Sequence, residues 1–185
     1  MSLNPALEDA GFCPRCGAPA TVRFPRSLHC ESCGYAAFFN PKPVGCALAR
    51  DEDGRVWLAR RGHEPGQGRW SMPGGFVDLG ESVEEAIVRE VREELDVHAT
   101  LGMLIGVYSH ADDRVVVIVY EASIDGTPRP TDEAPEVRAF AHDEIPWDEL
   151  AFPSVKWALD EYRSRLGQAV FAPGVNPPGM TGDQF

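Results

Sequence analysis

The 185 residues have room for one ordinary domain and a small module, and 43% hydrophobic with 25% charged content is that of a soluble globular chain. No run approaches the roughly 20 apolar residues needed to span a bilayer, and the start, MSLNPALEDAGF, lacks the basic and apolar regions of a secretory signal. A net charge of −12 argues against sequence-independent nucleic-acid binding, which relies on clustered Lys and Arg, but leaves a small anionic substrate open where divalent cations reverse the local potential.

In chain order, residues 1–10 read as a loose terminus, 11–39 hold two close Cys pairs, and 40–166 carry strand and helix patterns. The stretch 167–185 is rich in Gly and Pro and is expected to be disordered. Residues 44–49 and 56–60 predict strands joined by a turn at Asp53-Gly54. A Gly-rich loop, residues 66–75, leads to a helix with Ser82 as N-cap and Glu85 closing a capping box; it should end near Leu95-Asp96. Residues 101–107 and 115–122 read as strands, the second a continuous apolar run suited to a buried position. A short strand near 137–140 and a helix near 154–166 complete the order, which predicts an α/β fold with a mixed sheet between helices.

Cys13-Pro14-Arg15-Cys16 and Cys30-Glu31-Ser32-Cys33, thirteen residues apart, each place two thiols on one knuckle. Two such knuckles supply the tetrahedral sulfur shell that zinc prefers. Gly17 and Gly34 follow the pairs, where a positive φ helps backbone amides turn toward sulfur. The segment has too few apolar residues to fold without a staple. A redox pair or two disulfides are the alternatives, but no βαβ pattern accompanies the pairs and the total of five Cys is odd. The expectation is a cytoplasmic protein with structural Zn²⁺ on Cys13, Cys16, Cys30 and Cys33. Cys46, in an apolar strand pattern, reads as a small buried hydrophobe.

Residues 74–97 read GGFVDLGESVEEAIVREVREELDV. With Glu90 at zero on a helical wheel, Glu94 falls at about 40° and Glu93 at about −60°, so three carboxylates share one arc. Ile87, Val88, Val91 and Leu95 form an apolar stripe beside it. Like charges at these spacings destabilise a helix, and a hard divalent cation such as Mg²⁺ or Mn²⁺ suits oxygen-only ligands of this kind. Arg89 is spaced to pair with Glu93 or with Glu81. Alone, such a cluster is as readily a solvated face; the Gly74-Gly75 loop, which lets backbone approach a ligand, favours a site.

Gly75, then Glu81 after five residues, then Arg89-Glu90-Val91-Arg92-Glu93-Glu94 after seven, with Val97 closing, resembles the box of the Nudix hydrolases. One position departs from that box: Asp96 stands where Gly ends the helix, and Asp tolerates the left-handed turn moderately well. The resemblance implies a Nudix α/β/α sandwich and hydrolysis of a nucleoside diphosphate linked to another moiety. It implies Glu90 and Glu94 as the main Mg²⁺ or Mn²⁺ ligands and Glu93 as a further ligand or the base. Gly75 would contribute its carbonyl, and Glu81 and Arg89 would orient the helix. The Cys pairs followed by Asn40-Pro41-Lys42, and the late segment Phe140-Ala141-His142-Asp143-Glu144-Ile145-Pro146-Trp147, resemble ribbon-bearing Nudix hydrolases, most closely the FAD/ADP-ribose pyrophosphatase type. These are commonly homodimers.

No proline or tryptophan occurs in residues 108–117, which counts against an NADH pyrophosphatase. RNA decapping is chemically feasible, and a nucleotide-sensing module without turnover is the non-enzyme alternative, disfavoured because Glu90, Glu93 and Glu94 are all present. Glu136, ahead of the last strand, is equally well a further metal ligand or a surface carboxylate. Arg60 is a candidate phosphate donor and Trp70 a candidate stacking partner for the substrate, with exposure and core packing as their plainer readings. His63, His98 and His110 show no ligand spacing.

Overall fold

The computed structural model of the chain describes residues 5–110 and 114–165. The stretch expected to be disordered, 167–185, lies outside the described residues. Two compact units divide the chain, Met1–Pro41 and Lys42–Phe185. Among the described residues no helix is long and apolar enough to cross a membrane.

In the first unit, Pro5–Leu7 forms a 3-10 turn within the segment read as loose, and Leu7 is buried. Three short strands follow, β1 (Thr21–Arg23), β2 (Ser27–His29) and β3 (Ala36–Phe38), antiparallel in that order. Register places Val22, Leu28 and Ala37 in one row, which is the unit's small apolar face. None of these strands has a signature in the sequence, since three residues carry no periodicity.

The second unit runs β4 (Lys42–Arg50), β5 (Val56–Arg60), β6 (Trp70–Ser71), β7 (Gly74–Phe76), α1 (Val83–Leu95), β8 (His98–Tyr108), β9 (Val115–Asp125), β10 (Glu136–Phe140) and α2 (Pro153–Arg165). The sheet order is β10-β5-β4-β9-β8, with β6 on β5 and β7 on β4. β4 and β9 pair in parallel and the other neighbours antiparallel, giving the mixed sheet expected. The strands run longer than the apolar runs that announced them, because ladder bonds continue past the buried residues. β6 and β7 interrupt the expected Gly-rich loop.

Alternation along the strands makes the layers. Cys46 and Leu48 on β4, Val56 and Leu58 on β5, and Val119 on β9 pack with Val155, Ala158 and Leu159 of α2. Their neighbours Ala47, Ala49, Ala59, Tyr120 and Ala122 point the other way and pack with Ile87, Val91 and Leu95 of α1. One sheet between two helices is the α/β/α sandwich. α1 begins at a complete capping box, with the Ser82 side chain accepting from Glu85 N and Glu85 accepting from Ser82 N. It ends on Asp96 in the left-handed region, φ 56°, ψ 37°, with the Asp96 N–H bonded to Arg92 O.

The small residues under α1 set its depth. A Cβ on Gly45 would stand 2.6 Å from Ile87 Cγ1 and 3.3 Å from Val83 O, both in the buried contact. Gly45→Ala should therefore push α1 off the sheet and cost about 1–3 kcal/mol of stability, measured by urea denaturation; an unchanged midpoint would show that the contact relaxes freely.

Candidate active site

The site begins at the edge between β4 and β7, where Cys46 pairs with Gly74 and Gly45 with Gly75. Gly74 has φ +154°, and a Cβ there would overlap Gly45 O. A Cβ on Gly75 would overlap the Glu90 carboxylate. Two glycines in succession thus let the helix carboxylates lie directly on loop backbone. Gly74 N–H donates to Glu94 Oε2 at 2.9 Å.

Glu90 and Glu94 are 9% and 7% exposed, and carboxylate oxygens of Glu90, Glu94 and exposed Glu133 lie within 4.8 Å of one another. Burial, reinforced by the Glu90 charge, pushes the Glu94 carboxyl up to about 7 against the opposing Gly74 N–H. Burial also raises Glu90, and the bond from Arg89 opposes it. Acidic oxygens gathered this closely, two of them withdrawn from water, have the number and hardness that a divalent cation requires.

Arg89 spends every arm of its guanidinium here. It donates to Glu81 Oε1 at 2.7 Å and Oε2 at 3.1 Å, to Glu90 at 2.7 Å, to Glu93 at 2.9 Å and to Phe76 O at 3.1 Å. Its pKa rises further and that of Glu81 falls, each through the bond between them first. Glu81 also accepts from Asp78 N at 2.7 Å, so one ion pair fastens loop to helix.

Of the residues singled out from sequence, Gly75, Glu81, Arg89, Glu90 and Glu94 come together. Glu93 does not join the buried carboxylates; its side chain is 44% exposed and rests on Arg89. Glu136 lies opposite Arg60 in the β10–β5 register and pairs with it at 2.7 Å, outside the cluster. Glu133, three residues earlier, is the carboxylate that lies beside Glu90 and Glu94. Its carbonyl accepts from Gly62 N at 3.1 Å, and a turn closed by Thr131 and Ala134 presents it. The sequence signal was an acidic residue in the loop before the last strand, but choosing between two required that turn. Trp70 is 3% exposed and meets Phe140 edge-on at 5.1 Å, so its faces are taken by the core and by Arg60, 4.5 Å above the ring. Arg61, not Arg60, lines the cavity of about 1030 Å³ above the carboxylates, as does His63, which sequence left unassigned. Cys46 lines it too, its thiol raised to about 12 by burial.

In the first unit, Cys13 Sγ lies 3.7 Å from Cys33 Sγ, and Cys16 Sγ 3.7 Å from Cys30 Sγ. All four sulfurs fall within 4.8 Å of one another, and no pair is bonded. A tetrahedral ion with metal–sulfur bonds of about 2.3 Å has edges of about 3.8 Å, so the set fits zinc. Gly17 and Gly34, at φ +74° and +71°, close the knuckles with N–H bonds to Cys13 O and Cys30 O. The N–H of Cys33 lowers the Cys30 thiol to about 7.

A sheet between two helices, with a glycine loop laid on helix carboxylates, defines the class of protein. The NUDIX domain profile matches residues 40–161. The chain belongs to the Nudix family, and with it to the hydrolases that act on pyrophosphate bonds. It is 36% identical over 122 residues to an ADP-ribose pyrophosphatase of Methanocaldococcus jannaschii, covering 63% of this chain and 71% of that one. It is 37% identical over 90 residues to the NAD-capped RNA hydrolase NudC of Pseudomonas putida, 48% of this chain and 32% of that one; the match thus spans about a third of that protein. A crystal structure of a NUDIX hydrolase from Nitrosomonas europaea superposes with TM-score 0.79 at 28% identity, covering 89% of this chain and 97% of that one.

The raised Glu94 carboxyl fixes the sign of a pH effect. A carboxyl whose folded pKa exceeds its unfolded value binds its proton more tightly when folded, so the contribution of Glu94 to stability is greatest below about 4.5 and declines through about 7. Without added divalent cation, thermal stability should fall between pH 5 and 8 by on the order of 3 kcal/mol from this group. Glu94→Gln should flatten that slope; a slope unchanged by the substitution would assign it elsewhere.

Proposed function

We propose that the protein is a Mg²⁺- or Mn²⁺-dependent pyrophosphatase that splits a dinucleotide-type substrate, ADP-ribose or FAD, and releases a nucleoside monophosphate. The observation that carries this reading is the convergence of Glu90, Glu94 and Glu133 beneath the Gly74-Gly75 backbone. The match to an ADP-ribose pyrophosphatase over most of both chains supports the substrate class.

Glu90 and Glu94 are the residues we assign to holding the cation, with Glu133 completing the set and Gly75 offering its carbonyl. Divalent cations bound there would activate water and neutralise charge on the bridging and leaving oxygens. Arg89 and Glu81 act as positioning residues: their pairing holds the loop against the helix, and Arg89 holds Glu90 in the rotamer that faces the loop. Gly74 N–H does the same for Glu94. Glu93, on the outer side of Arg89, balances the guanidinium. Arg61, at the cavity wall, supplies a cationic donor for substrate phosphate. The Cys13, Cys16, Cys30 and Cys33 set is assigned a structural Zn²⁺.

With Mg²⁺ or Mn²⁺, the purified protein should release AMP from ADP-ribose or FAD, resolved by chromatography. Glu94→Gln should lower kcat/KM by about 100-fold or more, and Glu133→Gln should lose more than Glu93→Gln. Failure to release AMP from any dinucleotide would sink the reading, and a larger loss on Glu93→Gln would return the third carboxylate to Glu93.

Elemental analysis should find one zinc per chain in the unsubstituted protein and markedly less in Cys30→Ser. Zinc well below one per chain in the parent would refute the assignment.

A further inference from the structure

The cavity has a second end that carboxylate chemistry does not use. β7 lies beside β4, β4 beside β9 and β9 beside β8, so Phe76, Val44, Val117 and Tyr108 stand in one cross-strand row. Three strand spacings, roughly 14 Å, separate its ends. The carboxylates and the Gly74-Gly75 backbone lie at one end, and Val44 and Val117 form a floor with no side-chain donor or acceptor. At the other end Tyr108 meets Trp157 of α2, with ring centroids 6.4 Å apart and planes tilted by 36°.

Trp157 is a large aromatic residue on the exposed face of its helix, in line with Pro153, Asp160 and Ser164. Val155, Ala158 and Leu159 around it are at most 2% exposed, yet Trp157 is 45% exposed and lines the cavity. Its ring therefore contributes little to the core and leaves aromatic surface open inside a concave site. His110 and Arg114 also line the cavity, but the open indole face itself offers π surface and no charge. It suits a flat, uncharged, polarisable ring.

We propose that the Tyr108–Trp157 end seats the aromatic base of the substrate's nucleoside, with Trp157 as the stacking residue that selects nucleotide over base-free diphosphates. The inference rests on the pyrophosphatase reading, from which it takes the position of the diphosphate at the carboxylate end. The cavity is continuous between the two ends, and its volume of about 1030 Å³ accommodates a ligand of dinucleotide size.

The test titrates AMP and ribose 5-phosphate, which lacks the base, calorimetrically into the full chain with Mg²⁺, for the parent, Trp157→Ala and Trp157→Phe. Thermal melts check that each variant is folded. Trp157→Ala should weaken AMP about tenfold, Trp157→Phe should stay within about threefold of the parent, and ribose 5-phosphate should bind all three alike. In turnover of ADP-ribose, Trp157→Ala should raise KM more than it lowers kcat. Unchanged AMP affinity and KM in Trp157→Ala, or an equal loss for ribose 5-phosphate, would overturn the inference while parent turnover left the pyrophosphatase reading standing. No AMP binding and no turnover by the parent would overturn both.

Discussion

Two carboxylates withdrawn from water and laid on a strand edge are the constraint around which the second unit is organised. Glu90 and Glu94 repel one another and lose hydration, and a chain gains nothing in stability from such an arrangement by itself. Every neighbouring feature makes it tolerable. Gly74 N–H and the Arg89 guanidinium each satisfy one carboxylate. The absence of side chains at Gly74 and Gly75 leaves space for the oxygens. Gly45 and the alanines of β4, β5 and β9 let α1 sink far enough for its acidic edge to reach that space. The depth of one helix on a sheet is thereby the quantity that sets the geometry of the site.

The cavity above has two chemically distinct ends. One is charged, hard and backbone-rich. The other carries an apolar floor and the rings of Tyr108 and Trp157, from β8 and α2, elements with no carboxylate in the cluster, with His110 and Arg114 also in the lining. Such a division separates reaction from recognition: the first end addresses a diphosphate, and the second is free to vary with what the diphosphate carries. This is the physical reason that a box of residues in one segment defines a reaction class and leaves the substrate open.

Much of the carboxylate end was legible in the sequence because it is local. The capping box at Ser82, the apolar stripe of α1 and the spacing of Glu81, Arg89, Glu90 and Glu94 all lie within one loop and one helix, where periodicity maps directly onto space. The four cysteines were legible for the same reason. What the sequence concealed depends on contacts between distant segments. The helical wheel put Glu93 and Glu94 on one arc, but only Glu94 falls on the side where β7 lies; Glu93 turns outward to Arg89. Glu133 and Glu136 are alike in composition, and the β10–β5 register alone gives Glu136 to Arg60. Likewise, Arg60 and Arg61 are adjacent and face opposite ways, and Trp70 is closed off by Phe140 from seventy residues away.

The parallel pairing of β4 with β9 carries a kinetic consequence. Lys42 sits opposite Val115, and the ladder runs unbroken to Arg50 opposite Ser123. Parallel neighbours need a crossover connection, here the whole stretch containing β5, α1 and β8. Closing so long a loop costs entropy before the ladder returns anything, so topologies of this kind fold slowly. Glu133 comes later still in the chain than β9. During synthesis, α1 leaves the ribosome after the β7 backbone it rests on but before β9 and Glu133, which complete the sheet and the carboxylate cluster. The carboxylate cluster is thus among the last features to assemble, a product of completed folding and not a nucleus for it.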